Sequence, residues 1–237
     1  EGEAVIIGGG YNKTIIDEGG DNIIVGGGYL NSIISKNGNE IIIGGGYDNT
    51  IKTEDGEKII IGGGYQNYII AGNAITNEDP NGKNVIVGGG YTNYIKSGNG
   101  NDIIVGGGQT NEIFAGDGDN IVAGGGQDNY IEAGSGDDIL VGGGQYNEIH
   151  AGDGENIVVG GGQDNLMIAG SWKYVMIGGV QYNEIRAGDG DNIVVGGGQD
   201  NLITAGSGDD ILIGGGQYNR IEGGDGENTI IGGGQDN

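Results

Sequence analysis

Carboxylates recur along this sequence at a constant spacing, an arrangement that could bind several cations in a row. From residue 119 onward an acidic residue returns every 18 positions, and lysine replaces it once. We call this set the acidic row: Asp119, Asp137, Glu155, Lys173, Asp191, Asp209 and Glu227. Carboxylate oxygens are hard ligands of the kind that Ca²⁺ prefers. We therefore expect the aspartates of the acidic row either to face water or to be bridged by divalent cations.

Other kinds of chemistry find little support in the residue types. The absence of cysteine excludes disulfides, thiol redox chemistry and thiolate metal sites. The single histidine, His150, is predicted to lie on a solvated strand face without a fixed base or nucleophile partner. The glycine triplets lack the Lys and Ser/Thr of a phosphate-binding loop. We therefore predict that the chain is not an enzyme.

An internal repeat predicts the elements that position the carboxylates. A Gly-Gly pair returns thirteen times, and every interval but one is 18 residues. A unit of this length is too short for common helix-pair repeats but suits a coil of two short strands and two tight turns. The sequence predicts an all-β fold, a parallel β-solenoid of about 13 coils that forms a single domain over residues 1–237. Because the chain opens and stops within a coil, we expect it to be part of a longer chain or fibre.

Strand alternation predicts which side chains fill the solenoid. In the first half-coil, which starts at the glycine triplet, a central residue such as Ile149 points inward between neighbours that are mostly polar. The second half-coil runs AGxGxx and ends in three apolar residues, as in residues 133–141. Its middle apolar residue, such as Leu140, points inward, and the two apolar neighbours point outward. We call these neighbours the apolar stripe, which includes Ile103, Val105, Ile121, Ile139, Val141, Ile157, Val159, Ile193, Val195, Ile211 and Ile213. So large an exposed stripe predicts an interface with another chain. The alternative is a wider coil that buries these residues internally.

A recurrent Asn, from Asn31 to Asn237, is predicted to have a structural role. Asparagines stacked at the same position of successive coils can each donate from the side-chain amide to the next carbonyl. We therefore expect an asparagine ladder along the solenoid axis.

Two half-coils carry a pattern known from a protein family. The segments AGSGDDILV (133–141) and AGSGDDILI (205–213) resemble the calcium-binding nonapeptide GGxGxDxUx of RTX proteins, which form parallel β-rolls with two nonapeptides per coil. The resemblance implies that Asp102, Asp138 and Asp210 bind Ca²⁺ together with backbone carbonyls of neighbouring coils. Most coils have Asn at this position, and early coils have Glu40 and Lys58. A roll with fewer or weaker Ca²⁺ sites and an asparagine-laddered solenoid that needs none both stay open.

The other half-coil suggests a second resemblance. Repeats of the type GGGxxN are similar to head segments of trimeric autotransporter adhesins. This resemblance implies an assembly in which the apolar stripe faces two sister chains.

Two segments interrupt the period. Residues 73–81 contain the only Pro and are predicted to form a surface insertion. In the irregular coil at 171–180, Trp172, Lys173 and Tyr174 replace glycine and acidic residues. Trp172 and Tyr174 are expected either to anchor a partner or to repair local packing.

Charge and composition restrict the partners. A formal charge of −25 argues against nucleic acid and favours cations, and no apolar run reaches the roughly 18 residues of a membrane span. The leading hypothesis is an extracellular or cell-surface structural solenoid that forms or extends a fibre, filament or adhesin stalk by lateral and end-to-end self-association. The alternative is a calcium-binding RTX-like module of a secreted binding protein. Glycan binding by the recurrent tyrosines ranks lower, because they are expected to stack on one another; we call them the tyrosine column, which comprises Tyr11, Tyr29, Tyr47, Tyr65 and Tyr91. Ice binding also ranks lower, since the sequence has no outward Thr array.

Overall fold

The chain forms two compact units, Glu1–Val122 and Ala123–Asn237. The computed structural model describes residues 3–72 and 82–237. Each unit is a parallel β-solenoid, and together the units contain about 12 turns with a repeat of about 18 residues. The predicted fold class is therefore confirmed. The predicted insertion at 73–81 lies outside the described residues, and the single domain over 1–237 stays a prediction.

Unit 1 contains two ladders of parallel strands. Its strands are β1 (Val5–Ile7), β2 (Thr14–Asp17), β3 (Ile23–Val25), β4 (Ser32–Ser35), β5 (Glu40–Ile43), β6 (Asn49–Thr53), β7 (Lys58–Ile61), β8 (Gln66–Ile70), β9 (Val85–Val87), β10 (Thr92–Lys96), β11 (Ile103–Val105) and β12 (Thr110–Gly116). Odd-numbered strands pair with odd-numbered strands, and even with even. Residues one repeat apart lie opposite each other, as Val5 does to Ile23.

Unit 2 has the same winding pattern within itself. Its strands are β13 (Ile121–Gly125), whose first two residues belong to unit 1, β14 (Asp128–Ala133), β15 (Ile139–Gly143), β16 (Tyr146–His150), β17 (Ile157–Ile168), β18 (Val175–Gly188), β19 (Ile193–Gln199), β20 (Leu202–Ala205), β21 (Ile211–Ile213), β22 (Arg220–Glu222) and β23 (Thr229–Ile231). The long strand β17 pairs with both β15 and β16. Two short strands per coil are thus fused into one strand at β17 and at β18.

Two columns of fully buried side chains form the cores. The second half-coils contribute Ile24, Ile42, Ile60, Ile86, Ile104, Val122, Leu140, Val158, Met176, Val194 and Leu212. The first half-coils contribute Ile33, Ile51, Ile69, Ile95, Ile113, Ile131, Ile149, Met167, Ile185 and Ile203. Each is the central residue of its three-residue strand segment, so alternation along the strand correctly predicts the inward positions.

The apolar stripe lies on the outside. Ile103 is 45% exposed in unit 1 and Ile139 is 40% exposed in unit 2, while Val141 and Val195 are half-buried. The wider coil that would bury the stripe is therefore wrong. The interior is already filled by the middle residue of each strand, which leaves its neighbours on the opposite face.

The asparagine ladder is confirmed within each unit. In unit 2 the side-chain nitrogen of Asn147 donates to the side-chain oxygen of Asn165 at 2.7 Å, and Asn165 donates to Asn183 at 2.7 Å. In unit 1 Asn67 donates in the same way to Asn93 at 2.9 Å, although 26 residues separate them. A satisfied buried hydrogen bond contributes about 1 kcal/mol, and an orphaned group costs more. The ladder therefore fixes the register of successive coils, including the coils on either side of the insertion.

Glycine is required where successive turns come close together. Gly46 has a φ of 69°, and a β-carbon there would lie 1.6 Å from the carbonyl oxygen of Gly28. No side chain fits at that distance, so the stacked turns depend on glycine for both conformation and space.

Candidate calcium-binding loops

One residue at the start of each second half-coil strand points into the solenoid; it stands directly before the strand in most turns and is the first strand residue at Glu40 and Lys58. We call these positions the inner loop column: Asn22, Glu40, Lys58, Asn84, Asp102, Asn120, Asp138, Asn156, Tyr174, Asn192, Asp210 and Asn228. All are buried except Asn228, which is half-buried. The backbone N–H of Asn84 donates to Oδ1 of Asp102 at 2.7 Å, and that of Asn192 donates to Oδ1 of Asp210 at 2.8 Å. Hydrogen bonds between successive turns thus hold the column residues in place.

Where the column residue is Asn, its amide nitrogen satisfies the carbonyls of its own loop. Nδ2 of Asn120 donates to the Gly118 carbonyl at 2.8 Å and to the Gly116 carbonyl at 3.3 Å. Asn192 makes the same two contacts, with Gly190 at 2.8 Å and Gly188 at 3.4 Å. Each such loop directs carbonyl oxygens at one point, and that point needs a donor or a cation.

Where the column residue is Asp, the donor is replaced by a second carboxylate oxygen. Oδ2 of Asp210 is buried and has no hydrogen-bond partner within the described part of the chain. Asp102 accepts from the backbone and side-chain nitrogens of Asn84 at 2.7 and 2.9 Å, and from the Ser97 hydroxyl. Because a buried carboxylate is costly without a compensating charge, these loops fit a hard cation such as Ca²⁺.

Burial perturbs the titration of Asp102. Desolvation raises the pKa of Asp102 from 3.8 to about 6, although hydrogen bonds from Ser97 and Asn84 oppose the shift. The folded state therefore binds more protons than the unfolded state between these values, and stability falls as the pH rises through that window.

We expect the deprotonation of Asp102 to lower the free energy of unfolding by about 2 kcal/mol as the pH rises from about 4 to about 7 with calcium chelated. Urea unfolding of the parent and of Asp102→Asn at several pH values measures the difference, because all other titrating groups are shared. The parent should lose stability relative to the variant as the pH rises. A constant difference across the range would contradict the buried, uncompensated carboxylate.

The prediction that Tyr174 anchors a partner at an interface is wrong, because this side chain is fully buried. Tyr174 occupies the inner loop column. Its hydroxyl donates to the Gly152 carbonyl at 2.5 Å and accepts from the Gly170 N–H at 2.9 Å. Burial raises its pKa. Tyr174 therefore matches the packing-repair alternative, whereas Trp172 is 58% exposed.

The acidic row lies on the outer side of the loops. Asp119, Asp137, Asp191 and Asp209 are exposed. Oδ1 of Asp137 accepts from the backbone N–H of Glu155 at 2.8 Å, and Oδ1 of Asp191 from that of Asp209 at 2.9 Å. Within residues 3–72 and 82–237, no group of three or more His, Cys, Asp or Glu is placed to hold a metal ion. Cation bridging along the row stays a prediction.

His150 has a partner that the sequence did not reveal. Its Nε2 lies 2.8 Å from Oε1 of Glu148, two positions earlier on β16, and its ring lies 5.5 Å from that of Tyr130. Residues two apart share one face of a strand, which is the signal that could have predicted the pair. The expectation that His150 has no fixed partner is wrong.

The fold and the loops together define a parallel β-solenoid built from nonapeptide half-coils. The family model for the RTX calcium-binding nonapeptide repeat matches residues 35–69, 81–113, 114–149, 132–167, 175–203, 186–221 and 204–237. These matches cover well over half of the chain, which therefore belongs to this family. The repeats of this family bind calcium and are typical of secreted proteins. The chain is thus a structural or calcium-binding repeat module, on a fold that is generally non-catalytic.

Neither the curated proteins nor the solved structures contain a match to this chain. In the two described ranges, no helix is long and apolar enough to span a membrane.

The sequence indicated the motif aspartates, but it did not show that two adjacent aspartates point to opposite sides of the loop. Asp137 and Asp138 are adjacent, yet Asp137 is exposed and Asp138 is buried. The available signal was the position directly before the strand, where Asn and Asp interchange.

Proposed function

We propose that this chain is a structural solenoid module of a secreted or cell-surface protein, and that Ca²⁺ bound at Asp102, Asp138 and Asp210 stabilises it. The observation that carries the proposal is the buried Oδ2 of Asp210, which has no hydrogen-bond partner in the described part of the chain. A neutral Asn in the same column donates to loop carbonyls, while the aspartate adds negative charge at the point where those carbonyls converge. A divalent cation supplies the missing positive charge.

Calcium in this proposal stabilises a fold that does not depend on it entirely. In unit 1 Asn120, and in unit 2 Asn156 and Asn192, supply loop donors from the protein itself. Their turns are complete without a metal ion. We therefore expect a folded chain in chelator that becomes more stable with calcium.

The exposed apolar stripe supports the finer proposal of a fibre or adhesin stalk that forms by self-association. On most turns of each unit the stripe places an exposed Ile beside a Val or Ile that is exposed or half-buried. Contiguous apolar surface of this kind is costly in water and typically marks an interface. Contact between two copies of the stripe would remove it from solvent without any change in the solenoid.

Glycan binding by the tyrosine column finds less support. The ring centroids of Tyr29 and Tyr47 lie 4.8 Å apart, those of Tyr47 and Tyr65 lie 5.6 Å apart, and those of Tyr65 and Tyr91 lie 5.1 Å apart. The interior rings of this stack therefore cover each other's faces, which a sugar ring would need for stacking. The strong negative charge also disfavours nucleic acid and anionic membranes as partners.

Calcium titration of chelated protein, followed by far-UV circular dichroism and equilibrium dialysis, tests the calcium proposal. We expect β-structure in chelator, bound calcium and a higher unfolding midpoint at saturation. Absence of calcium binding at millimolar concentration would contradict it.

Sedimentation equilibrium tests self-association separately, with Ile139→Lys/Ile157→Lys as the variant that interrupts the stripe. We expect oligomers for the parent and a shift to monomer for the variant. A parent that is monomeric at all concentrations would contradict the fibre proposal.

A further inference from the structure

One pair in the inner loop column carries opposite charges. Glu40 and Lys58 lie on successive turns of unit 1, and both side chains are fully buried. Oε2 of Glu40 contacts Nζ of Lys58 as an ion pair. Charges this deeply buried persist in proteins when additional polar contacts compensate for lost hydration.

The contacts of the Lys58 ammonium are mostly with backbone carbonyls. Nζ donates to the Asp55 carbonyl of its own loop at 2.7 Å. It also donates to the carbonyls of Gly38 and, at 3.4 Å, Lys36, which lie in the loop one turn earlier. One positive charge is therefore held by carbonyl oxygens of two successive loops together with one carboxylate.

Further oxygen atoms of the same two turns lack donors. Oγ of Ser35, Oε1 of Glu40 and Oδ1 of Asp55 are buried, and each lacks a hydrogen-bond partner within the described residues. Ser35 and Glu40 belong to the turn before Lys58, and Asp55 belongs to the loop of Lys58 itself. Within the described residues, the carboxylate oxygens Oε1 of Glu40 and Oδ1 of Asp55 thus accept no hydrogen bond, and Lys58 supplies the positive charge of this region.

We propose that the ammonium of Lys58 is a built-in replacement for a bound metal ion, and that removing it converts the pocket around Glu40 into a calcium site. Without Lys58, the carboxylate of Glu40 and the carbonyls of Gly38 and Asp55 form a hard oxygen ligand set with net negative charge. With Lys58 in place, the turns at Glu40 and Lys58 stay folded without calcium. The inference depends on the contacts of Lys58 and not on calcium binding at the motif aspartates.

The test uses the full chain in a background with Asp102→Asn, Asp138→Asn and Asp210→Asn, so that the proposed calcium loops are silent. Lys58→Ala is added to this background, and the matched control adds Glu40→Asn/Lys58→Asn, which restores the asparagine pattern of the other turns. Urea unfolding in chelator and in 10 mM Ca²⁺, with isothermal titration of Ca²⁺, gives the readout.

We expect Lys58→Ala to lower the urea midpoint in chelator, to recover most of the loss in calcium and to bind one more ion per chain than the matched control. The control should show no difference between the two conditions. An equal loss of stability with and without calcium, with no additional ion bound, would overturn the proposal. If Lys58→Ala is unfolded in chelator, recovery of β-structure on adding calcium supports the proposal, and failure to recover it overturns it.

Because the background lacks the motif aspartates, this result is independent of the proposed function. A parent chain that binds no calcium would refute the latter and leave the test of Lys58 intact.

Discussion

Replacing the three motif aspartates together, as Asp102→Asn/Asp138→Asn/Asp210→Asn, is expected to stabilise the chain in chelator and to abolish its response to calcium. Asn at these positions can donate to loop carbonyls, as Asn120 and Asn192 do at 2.8 Å. Relief of the unpartnered Oδ2 of Asp210 is worth about 1–3 kcal/mol, and replacing the buried carboxylates of Asp102 and Asp138 by neutral amides removes the cost of burying a charge. Urea unfolding in chelator and in calcium measures both effects.

The matched control neutralises three carboxylates of the acidic row, as Asp119→Asn/Asp137→Asn/Asp209→Asn. These side chains are exposed, so the same change in net charge occurs in water. We expect little change in stability, because interactions between exposed charges are weak. Equal stabilisation by both triple variants would show that net charge, and not burial in the loops, is responsible.

Leu140→Ala is expected to destabilise the chain by about 2–5 kcal/mol, whereas Ile139→Ala should cost less than about 1 kcal/mol. Leu140 is fully buried and Ile139 is 40% exposed, although they are neighbours on β15. The loss at Leu140 combines lost burial with a cavity that the stacked turns cannot easily close. Guanidinium unfolding of the two variants gives the comparison.

The two variants act as controls for each other because each removes a branched aliphatic side chain from the same strand. Similar losses would place both residues in equivalent surroundings and contradict a core that is formed by the middle residue of each strand segment. A larger loss at Ile139 would point to an interface that covers the apolar stripe.

Much of the fold follows from the sequence because the repeat sets the register. Once residues 18 apart are stacked, alternation places Leu140 inside and Ile139 outside without further information. The same logic predicts the asparagine ladder, since the amides of Asn147 and Asn165 can meet only in this register. Repetition makes one correct assignment valid for every turn.

The inner loop column was harder to predict, since a loop has no fixed alternation. Nothing in the residue type of Tyr174 distinguishes an exposed anchor from a buried hydroxyl donor. Its position relative to Asn156 and Asn192 does, because all three stand directly before a strand. Lys58 was similarly visible as a departure from the motif, but its carbonyl contacts depend on how two loops stack.

Amide hydrogen exchange with and without calcium, read by mass spectrometry of short peptides, tests the central claim most directly. The account predicts that calcium increases protection most in the loops ending at Asp102, Asp138 and Asp210, and less in those ending at Asn120, Asn156 and Asn192. An equal calcium-induced increase in protection in the aspartate and asparagine loops, or no increase in either, would contradict calcium binding at the buried carboxylates.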